Sequence, residues 1–188
     1  MIRELLVKER SYRSFDPSVN VSKETLLAFL ENVRLTPSTR NLQALKFKLC
    51  TEQKDLEMML ASTGWAKSLP VKLPPEGHAP TAYIIICLDT SIASADIMYR
   101  DVGIAAQTIM LSAVEKGLGG CMIGSFVPET LSKHFAFPEH IVPKLVIGLG
   151  KPDEVCITED SVDGNITYYR DGENVHHVPK RTLEEILL

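Results

Sequence analysis

Basic residues gather near the two ends of a chain that is acidic overall. The 188 residues carry a net charge of −4 at pH 7, so a binding site for an anion must be a local cluster of cations. The sequence offers two such clusters, Arg10 with Arg13 and Lys180 with Arg181. Arginine suits phosphate because its planar fork donates two hydrogen bonds at once. For any one of these residues alone, a solvated surface charge is the alternative. The acidic balance argues against a general nucleic-acid binder.

Nucleophilic and metal chemistry find little support in the sequence. The serines of the candidate segments, Ser11, Ser38 and Ser125, do not lie in the G-x-S-x-G turn of a hydrolase. No histidine lies in a recognisable triad context. The four cysteines lie far apart with no C-x-x-C pair, so we expect no metal site. Cys50 and Cys87 sit in apolar runs typical of buried side chains. His176 and His177 lack a third ligand, and we expect them on the surface of a carboxy-terminal arm.

The composition is that of an ordinary globular domain. Hydrophobic residues make up 45% and charged residues 23% of the chain, and one domain of this length buries roughly two thirds of its unfolded surface. The most apolar helical stretch, 102–114, falls short of the ~20 residues of a membrane span. The amino-terminal residues show no secretory signal pattern, and unpaired cysteines are typical of a reducing compartment. We therefore expect a soluble, cytoplasmic protein that does not bind a membrane.

Hydrophobic periodicity predicts helices that bracket a few strands. Helices are expected at 22–35 with Ser22 as N-cap, and at 54–62, 94–116, 128–135 and 180–188. Strands are expected at 45–50, 82–88 and 142–149, with a short strand and turn at 121–126. No G-x-G-x-x-G follows a strand, and regular β-α-β alternation is absent, so the predicted fold class is α+β. Residues 151–178 are polar and offer little core of their own.

Three separated segments together resemble the nitroreductase family of FMN-binding oxidoreductases. The first, RSYRSF at 10–15, is similar to the family's R-R-S-x-R-x-F pattern, with Glu9 where the first arginine often stands. The second, PSTRNLQ at 37–43, is similar to its P-S-x-x-N-x-Q pattern. The third runs from Asp101 through Gln107 to GLGGCMIGSF at 117–126 and resembles the family's central helix and the turn beside the flavin. The resemblance implies a central, mostly antiparallel sheet flanked by helices in an intertwined homodimer.

The same resemblance assigns roles around FMN to both ends of the chain. Arg10, Ser11 and Arg13 would contact the phosphate, the ribityl chain and the pyrimidine edge, and Lys180 and Arg181 would close over the phosphate. Arg13 is also the candidate for tuning the flavin, because a fixed cation near the ring stabilises the anionic reduced form.

Two further groups of residues are implied as cofactor contacts. One would reach the flavin bound mainly by the partner subunit: Pro37, Ser38, Asn41 and Gln43. From the residues alone, a capping turn is the alternative for that segment. The other would lie beside the ring, where a small side chain leaves room for the hydride donor: Ile123, Gly124 and Ser125. A simple strand-to-helix turn is the alternative there.

The family implies a two-step exchange in which NADH or NADPH reduces bound FMN and a small acceptor, such as a nitroaromatic or a quinone, then takes the electrons.

A long loop, Gly64–Pro80, is expected to be functional or mobile, and Trp65 within it is either a stacking residue at the acceptor pocket or a core residue. Three alternatives stay open: a flavin enzyme of the same fold that performs enoyl reduction, dehydrogenation or dehalogenation; a non-catalytic FMN-binding or redox-sensing module; and a structural domain without flavin.

The expected organisation is a single FMN-binding domain over residues 1–188. Residues 151–188 would form a carboxy-terminal arm that wraps the partner subunit, because they are too polar to fold alone. Gln107 of the central helix is expected to be a hydrogen-bonded polar group packed within the dimer.

Overall fold

A four-stranded antiparallel sheet organises the computed structural model, which describes residues 2–66, 69 and 71–188. The strands are β1 (Leu45–Cys50), β2 (Ala82–Asp89), β3 (Gly119–Ile123) and β4 (Ile141–Gly150). They lie in the order β1-β2-β4-β3, and all three neighbouring pairs are antiparallel. The predicted α+β class with a mostly antiparallel sheet is therefore confirmed.

Helices flank this sheet on both sides. They are α1 (Ile2–Lys8), α2 (Lys23–Arg34), α3 (Gln53–Ser62), α4 (Ala95–Glu115), α5 (Pro128–His134) and α6 (Leu183–Ile186). The predicted N-cap of α2 is confirmed, since the Ser22 hydroxyl accepts a hydrogen bond from the Thr25 N–H at 3.2 Å. None of the helices among the described residues has the length and apolar composition needed to cross a membrane.

Strand β2 is the centre of the core, because every one of its eight residues is buried. Successive side chains of a strand point to opposite faces, so Ile84 and Ile86 pack with α2 and α4 on one side. Tyr83 and Ile85 pack on the other side, in a cluster that also holds Phe15 and Trp65. Burying an aliphatic or aromatic side chain of this size stabilises the fold by ~1.5–3 kcal/mol. The predicted strand buried on both faces is confirmed.

The glycine-rich stretch after α4 brings the amino-terminal segment against the sheet. Gly117 has φ +70°, a left-handed conformation that ends the helix, and the chain then enters β3. A Cβ placed on Gly119 would lie 2.6 Å from the Tyr12 ring, so only glycine permits this close approach. The Tyr12 N–H donates to the Gly120 carbonyl at 2.9 Å. Residues 10–12 are therefore fixed along the free edge of β3.

The carboxy-terminal region forms a second, three-stranded sheet, which the sequence did not predict. Its strands are β5 (Cys156–Asp160), β6 (Tyr169–Arg170) and β7 (His176–Lys180), in the order β5-β7-β6. These strands are short and polar, so their main-chain pairing leaves no hydrophobic pattern to detect. The predicted final helix at 180–188 is too long, because Lys180 belongs to β7 and Thr182 caps the short helix α6 through a capping box.

Candidate active site

A cavity of about 300 Å³ collects cations from both ends of the chain. We call it the cationic cavity, and its lining residues are Glu9, Arg10, Ser11, Arg13, Tyr168, His176, Val178 and Lys180. The structure thus brings Arg10, Ser11, Arg13 and Lys180 together, as the sequence predicted. Arg181 does not line the cavity, and its Nη1 lies 3.5 Å from Glu185 Oε1. Three cations against one carboxylate, that of Glu9, make this cavity an attractive site for an anion.

Arg13 is held on several sides. Its Nη1 donates to the Ser11 carbonyl oxygen at 3.0 Å and lies 3.3 Å from His176 Nε2. Its guanidinium carbon lies 5.5 Å from the centroid of the Tyr168 ring, within the range of a cation–π contact. Its main-chain N–H donates to the carboxylate of Glu154. The side chain and the backbone of Arg13 are therefore both fixed by residues of the carboxy-terminal region.

A buried ion pair stabilises this placement of Arg13. Glu154 and Arg170 pair through their side chains, which are only 4% and 12% exposed. The other carboxylate oxygen of Glu154 accepts from the main-chain N–H groups of Arg13 and Ser14. One carboxylate therefore ties the amino-terminal segment to strand β6.

The prediction that His176 lies on the surface is wrong. Its side chain is buried, with 2% of the residue exposed, because β7 pairs with β5 and β6 and turns this face of the strand onto Arg13. Burial and the positive charges of Arg13 and Arg170 lower the pKa of His176 to about 4. The imidazole is therefore neutral at pH 7. His177 faces the opposite way, between the carboxylates of Glu159 and Asp171, which raise its pKa.

Acid destabilises the folded state through His176. Its pKa is about 4 when folded against an ordinary 6.5, so the unfolded chain binds a proton that the folded chain rejects between these values. The stability that neutral His176 confers is full above about pH 6.5 and is lost as the pH falls towards 4. We expect His176→Gln to reduce the fall in unfolding free energy over this range by about 1–2 kcal/mol.

Urea unfolding of both proteins at several pH values measures this difference. The groups that face His176 are Arg13, Arg170, His177 and Tyr168, and the variant leaves all of them in place. Equal acid sensitivity of the two proteins would show that His176 does not stay neutral in the fold.

A smaller cavity of about 110 Å³ adjoins the cationic cavity through Arg13, which lines both. Its other lining residues are Gly64, Trp65, Ala66 and the run Cys121–Ser125, so the structure brings Ile123, Gly124 and Ser125 together with Arg13. A Cβ placed on Gly124 would meet no atom within 4 Å. The main chain here therefore borders open space that a flat ligand could enter. Cys121 is buried, and burial raises the pKa of its thiol, which makes it a poor nucleophile.

Trp65 packs into the core, which confirms one of the two alternatives for this residue. It is 9% exposed, and its indole N–H donates to the Thr63 hydroxyl at 3.0 Å. It also borders a third cavity of about 550 Å³ beneath the predicted loop, together with Leu60, Leu73 and Pro74. Parts of the predicted loop, residues 67, 68 and 70, lie outside the described residues.

The segment 37–43 lies apart from the cationic cavity. Pro37, Ser38 and Gln43 line a cavity of about 280 Å³ that shares no lining residue with the cationic cavity. Asn41 does not line it, but its side-chain oxygen accepts from the Gln43 amide at 3.1 Å. The Ser38 hydroxyl accepts from the Gln43 N–H at 3.3 Å, a hydrogen bond within the segment and beyond the end of α2. Within one chain, this segment does not meet the residues around Arg13.

Asp101 of α4 holds that segment in an unusual conformation. Arg40, Asn41 and Gln43 all have positive φ, between 50° and 57°, which is costly for residues other than glycine. Asp101 is 4% exposed and accepts from the Thr39 N–H at 2.9 and 3.0 Å and from its hydroxyl at 2.7 Å. A single buried carboxylate therefore offsets the local strain.

We expect Asp101→Asn to lower the unfolding free energy by about 1–3 kcal/mol, because it weakens hydrogen bonds to a buried charge. Asp160→Asn makes the same chemical change at an exposed position and is the matched control, with an expected effect within about 0.5 kcal/mol. Chemical denaturation of the two variants compares them directly. Similar losses would mean that the Asp101 carboxylate does not anchor the segment.

Sequence reasoning missed several residues of the site. Four residues come from a stretch with no hydrophobic pattern: Tyr168, Glu154, Arg170 and buried His176. Three of them contact Arg13 across more than a hundred positions, and Arg170 pairs with Glu154, so no local signal marks them. The sequence marks Glu9 only as a departure from the family pattern. Its carboxylate accepts from Gln107 Nε2 at 3.4 Å, so Gln107 has a hydrogen-bond partner within its own chain. Among the described residues, no group of three or more potential ligands could hold a metal ion.

Known proteins share this sequence pattern and fold. The model of the nitroreductase family matches residues 6–151. A Methanothermobacter thermautotrophicus protein named "Putative NADH dehydrogenase/NAD(P)H nitroreductase" is 38% identical over 90 residues, which cover 45% of this chain and 47% of that protein. The match thus spans about half the length of that relative.

Solved structures extend the likeness. An FMN-dependent nitroreductase from Clostridium difficile R20291 is 26% identical, with a TM-score of 0.66 over 82% of this chain and 88% of that one. A nitroreductase family protein from Streptococcus pneumoniae TIGR4 is 16% identical and superimposes over 100% of this chain and 99% of that one, with a TM-score of 0.73. At that identity, the second match supports the fold alone. With the family model matching most of its length, this chain belongs to the nitroreductase family.

Proposed function

We propose that this protein is an FMN-dependent oxidoreductase that transfers two electrons from NADH or NADPH to a small acceptor, such as a nitroaromatic or a quinone. The observation that carries the proposal is the cationic cavity, where Arg10, Arg13 and Lys180 converge beside the open main chain at Gly124. The names of two relatives agree with it, since one is named an NAD(P)H nitroreductase and the other an FMN-dependent nitroreductase.

The residues present fit a phosphorylated flavin. Arg10 Nε is buried and has no hydrogen-bond partner among the described residues, so it is a donor that lacks an acceptor. Arg10 and Lys180 would hold the phosphate, because a phosphate group offers strong acceptor oxygens and close to two negative charges. Glu9 acts against an anion, but its carboxylate is engaged by Gln107. The balance of three cations against one carboxylate favours phosphate.

Arg13 and Gly124 would serve the flavin ring. When bound, FMN supplies the two-electron chemistry, and the protein supplies position and electrostatics. Arg13 lines both cavities, so it would place a fixed positive charge near the pyrimidine edge and stabilise negative charge that develops there. Gly124 and Ser125 would border the ring, and the missing side chain at Gly124 would leave space for the nicotinamide and then the acceptor.

The homodimer is part of this proposal. The segment with Pro37, Ser38, Asn41 and Gln43 lies apart from the cationic cavity of its own chain. In a dimer, this segment of one subunit would complete the site of the other, which accounts for its separation within one chain. The proposed domain covers residues 1–188, and residues after Gly150 would extend along the partner as well as hold Arg13.

The absorbance spectrum of the purified protein, recorded without oxygen before and after NADH or NADPH, tests the proposal. We expect visible flavin absorbance that the nicotinamide bleaches, and that menadione or a nitrofuran then restores. If only an activated alkene restores it, the enzyme is a reductase of a different acceptor class. Bound flavin that neither nicotinamide bleaches would indicate a binding module, and a colourless protein that takes up no added FMN would contradict the proposal.

A further inference from the structure

Two residues of the carboxy-terminal region, His176 of β7 and Tyr168 just before β6, contact the guanidinium of Arg13. His176 Nε2 lies 3.3 Å from Arg13 Nη1, and the Tyr168 ring lies 5.5 Å from the guanidinium carbon. The two rings also contact each other, with centroids 5.5 Å apart. Both residues lie beyond residue 151, where the match to the family model ends. The contacts to Arg13 therefore come from a part of the chain that the family pattern does not describe.

We infer that His176, assisted by Tyr168, is a positioning residue that fixes the Arg13 guanidinium for the cofactor without cancelling its positive charge. This inference rests on the proposed function, because it assigns the purpose of the contact to FMN binding. The direct role remains with Arg13, and His176 acts through it.

The need for a positioning residue follows from the nature of arginine. A long side chain loses much conformational freedom when it is ordered, so an arginine that is already in place binds its ligand with a smaller entropy cost. The Ser11 carbonyl and His176 each engage Nη1, and Tyr168 covers one face of the plane. Both contacts use Nη1, so Nε and Nη2 would be the donors that serve a ligand.

The neutrality of His176 is equally important, because it leaves the positive charge of Arg13 intact. Among the described residues, no carboxylate forms an ion pair with the Arg13 guanidinium, and the buried carboxylate nearest to its backbone, that of Glu154, is paired with Arg170. A neutral imidazole accepts a hydrogen bond and adds no negative charge. Burial and two neighbouring arginines keep the pKa of His176 at about 4, so this state persists through the physiological range.

The adjacent histidines provide a matched pair of variants. His176 and His177 follow each other in β7 and face opposite sides, and only His176 contacts Arg13. We expect His176→Leu to raise the dissociation constant for FMN about tenfold, measured by fluorescence quenching on the apoprotein. His176→Gln retains an acceptor, and we expect it to stay within about threefold of the unaltered protein. His177→Leu disturbs the same strand, and we expect no change beyond about twofold.

The midpoint potential of the bound flavin tests separately whether His176 leaves the positive charge of Arg13 intact. His176→Glu places an anion beside Arg13, and we expect a more negative potential than with His176→Gln, because the cation is then partly neutralised. Equal potentials in these two variants, or equal FMN affinities in His176→Leu and His177→Leu, would overturn the inference while the proposed function stands.

A double-mutant cycle on the apoprotein tests the contact between His176 and Arg13 independently of the proposed function. We expect the effects of Arg13→Ala and His176→Leu on the unfolding equilibrium constant in urea to be non-additive by about fivefold or more. Those of Arg13→Ala and His177→Leu should be additive. If the unaltered protein binds no FMN, the proposed function fails, and the cycle still decides whether His176 holds Arg13. Additive effects for the first pair would overturn the contact itself.

Discussion

We expect Arg13→Ala to weaken FMN binding by about 100-fold and to make the midpoint potential of the remaining bound flavin more negative. The affinity falls because the variant removes a held, charged donor that borders both the cationic cavity and the cavity beside Gly124, and truncation of such a group costs about 2–5 kcal/mol. The potential falls because no fixed cation then stabilises the reduced flavin. Fluorescence titration measures the first effect, and potentiometric titration measures the second.

Two control variants separate charge from shape. Arg13→Lys keeps the charge but loses the planar fork, so we expect an intermediate affinity and a potential closer to that of the unaltered protein. Lys54→Ala removes an exposed cation of α3 that lines neither cavity, and we expect no effect on either quantity. An unchanged potential in Arg13→Ala would remove Arg13 from the tuning role.

Glu154→Ala is expected to lower the unfolding free energy by about 3–5 kcal/mol, because it leaves the buried guanidinium of Arg170 without a charged partner. It also leaves the N–H groups of Arg13 and Ser14 without their acceptor. The loss is a large fraction of the 5–15 kcal/mol that stabilises a typical domain. Urea unfolding of the apoprotein measures it, and flavin binding should weaken with it.

The matched control is Glu159→Ala, which removes a carboxylate from the same small sheet. The Glu159 side chain is 35% exposed and pairs with His177, so we expect a loss well below that of Glu154→Ala, because solvent screens an exposed ion pair. The double variant Glu154→Ala with Arg170→Ala should recover part of the loss, since no unpaired charge then remains. Equal losses in Glu154→Ala and Glu159→Ala would show that the buried pair does not anchor the segment.

The central sheet could be predicted from the sequence because its signals are local. The run 82–88 is apolar at every position and forms a strand buried on both faces. Ser22 precedes a helical pattern and caps α2. Gly117 follows the last apolar turn of α4 and ends it with a positive φ. In each case the residues that decide the structure lie within a few positions of one another.

The carboxy-terminal sheet could not be predicted, because its strands are held by pairing and by contacts to distant residues. His176 stands in a polar stretch, and its burial depends on the pairing of β7 with β5 and on Arg13, which lies 163 positions away. The segment 39–43 is a similar case. Nothing in Arg40 or Gln43 favours a positive φ, and the carboxylate that anchors the segment at Thr39 comes from Asp101 of α4, 62 positions away.

The candidate site was predicted through family resemblance more than through spacing. The patterns at 10–15 and 117–126 named Arg13, Gly124 and Ser125, and these residues border one cavity. Lys180 joins them from the far end of the chain, while the neighbouring Arg181 turns towards Glu185. Which of two adjacent cations enters a cavity depends on the face of the strand that ends there, and the sequence alone does not determine that face.

The binding of FMN compared with riboflavin to the apoprotein tests the central claim, that the cationic cavity holds the phosphate of a flavin. The two ligands differ only in the phosphate group, and calorimetry or fluorescence quenching gives both dissociation constants. We expect FMN to bind at least about 100-fold more tightly, because Arg10 and Lys180 would form charge-assisted hydrogen bonds with the phosphate. Equal affinity for the two ligands, or binding of neither, would contradict the claim.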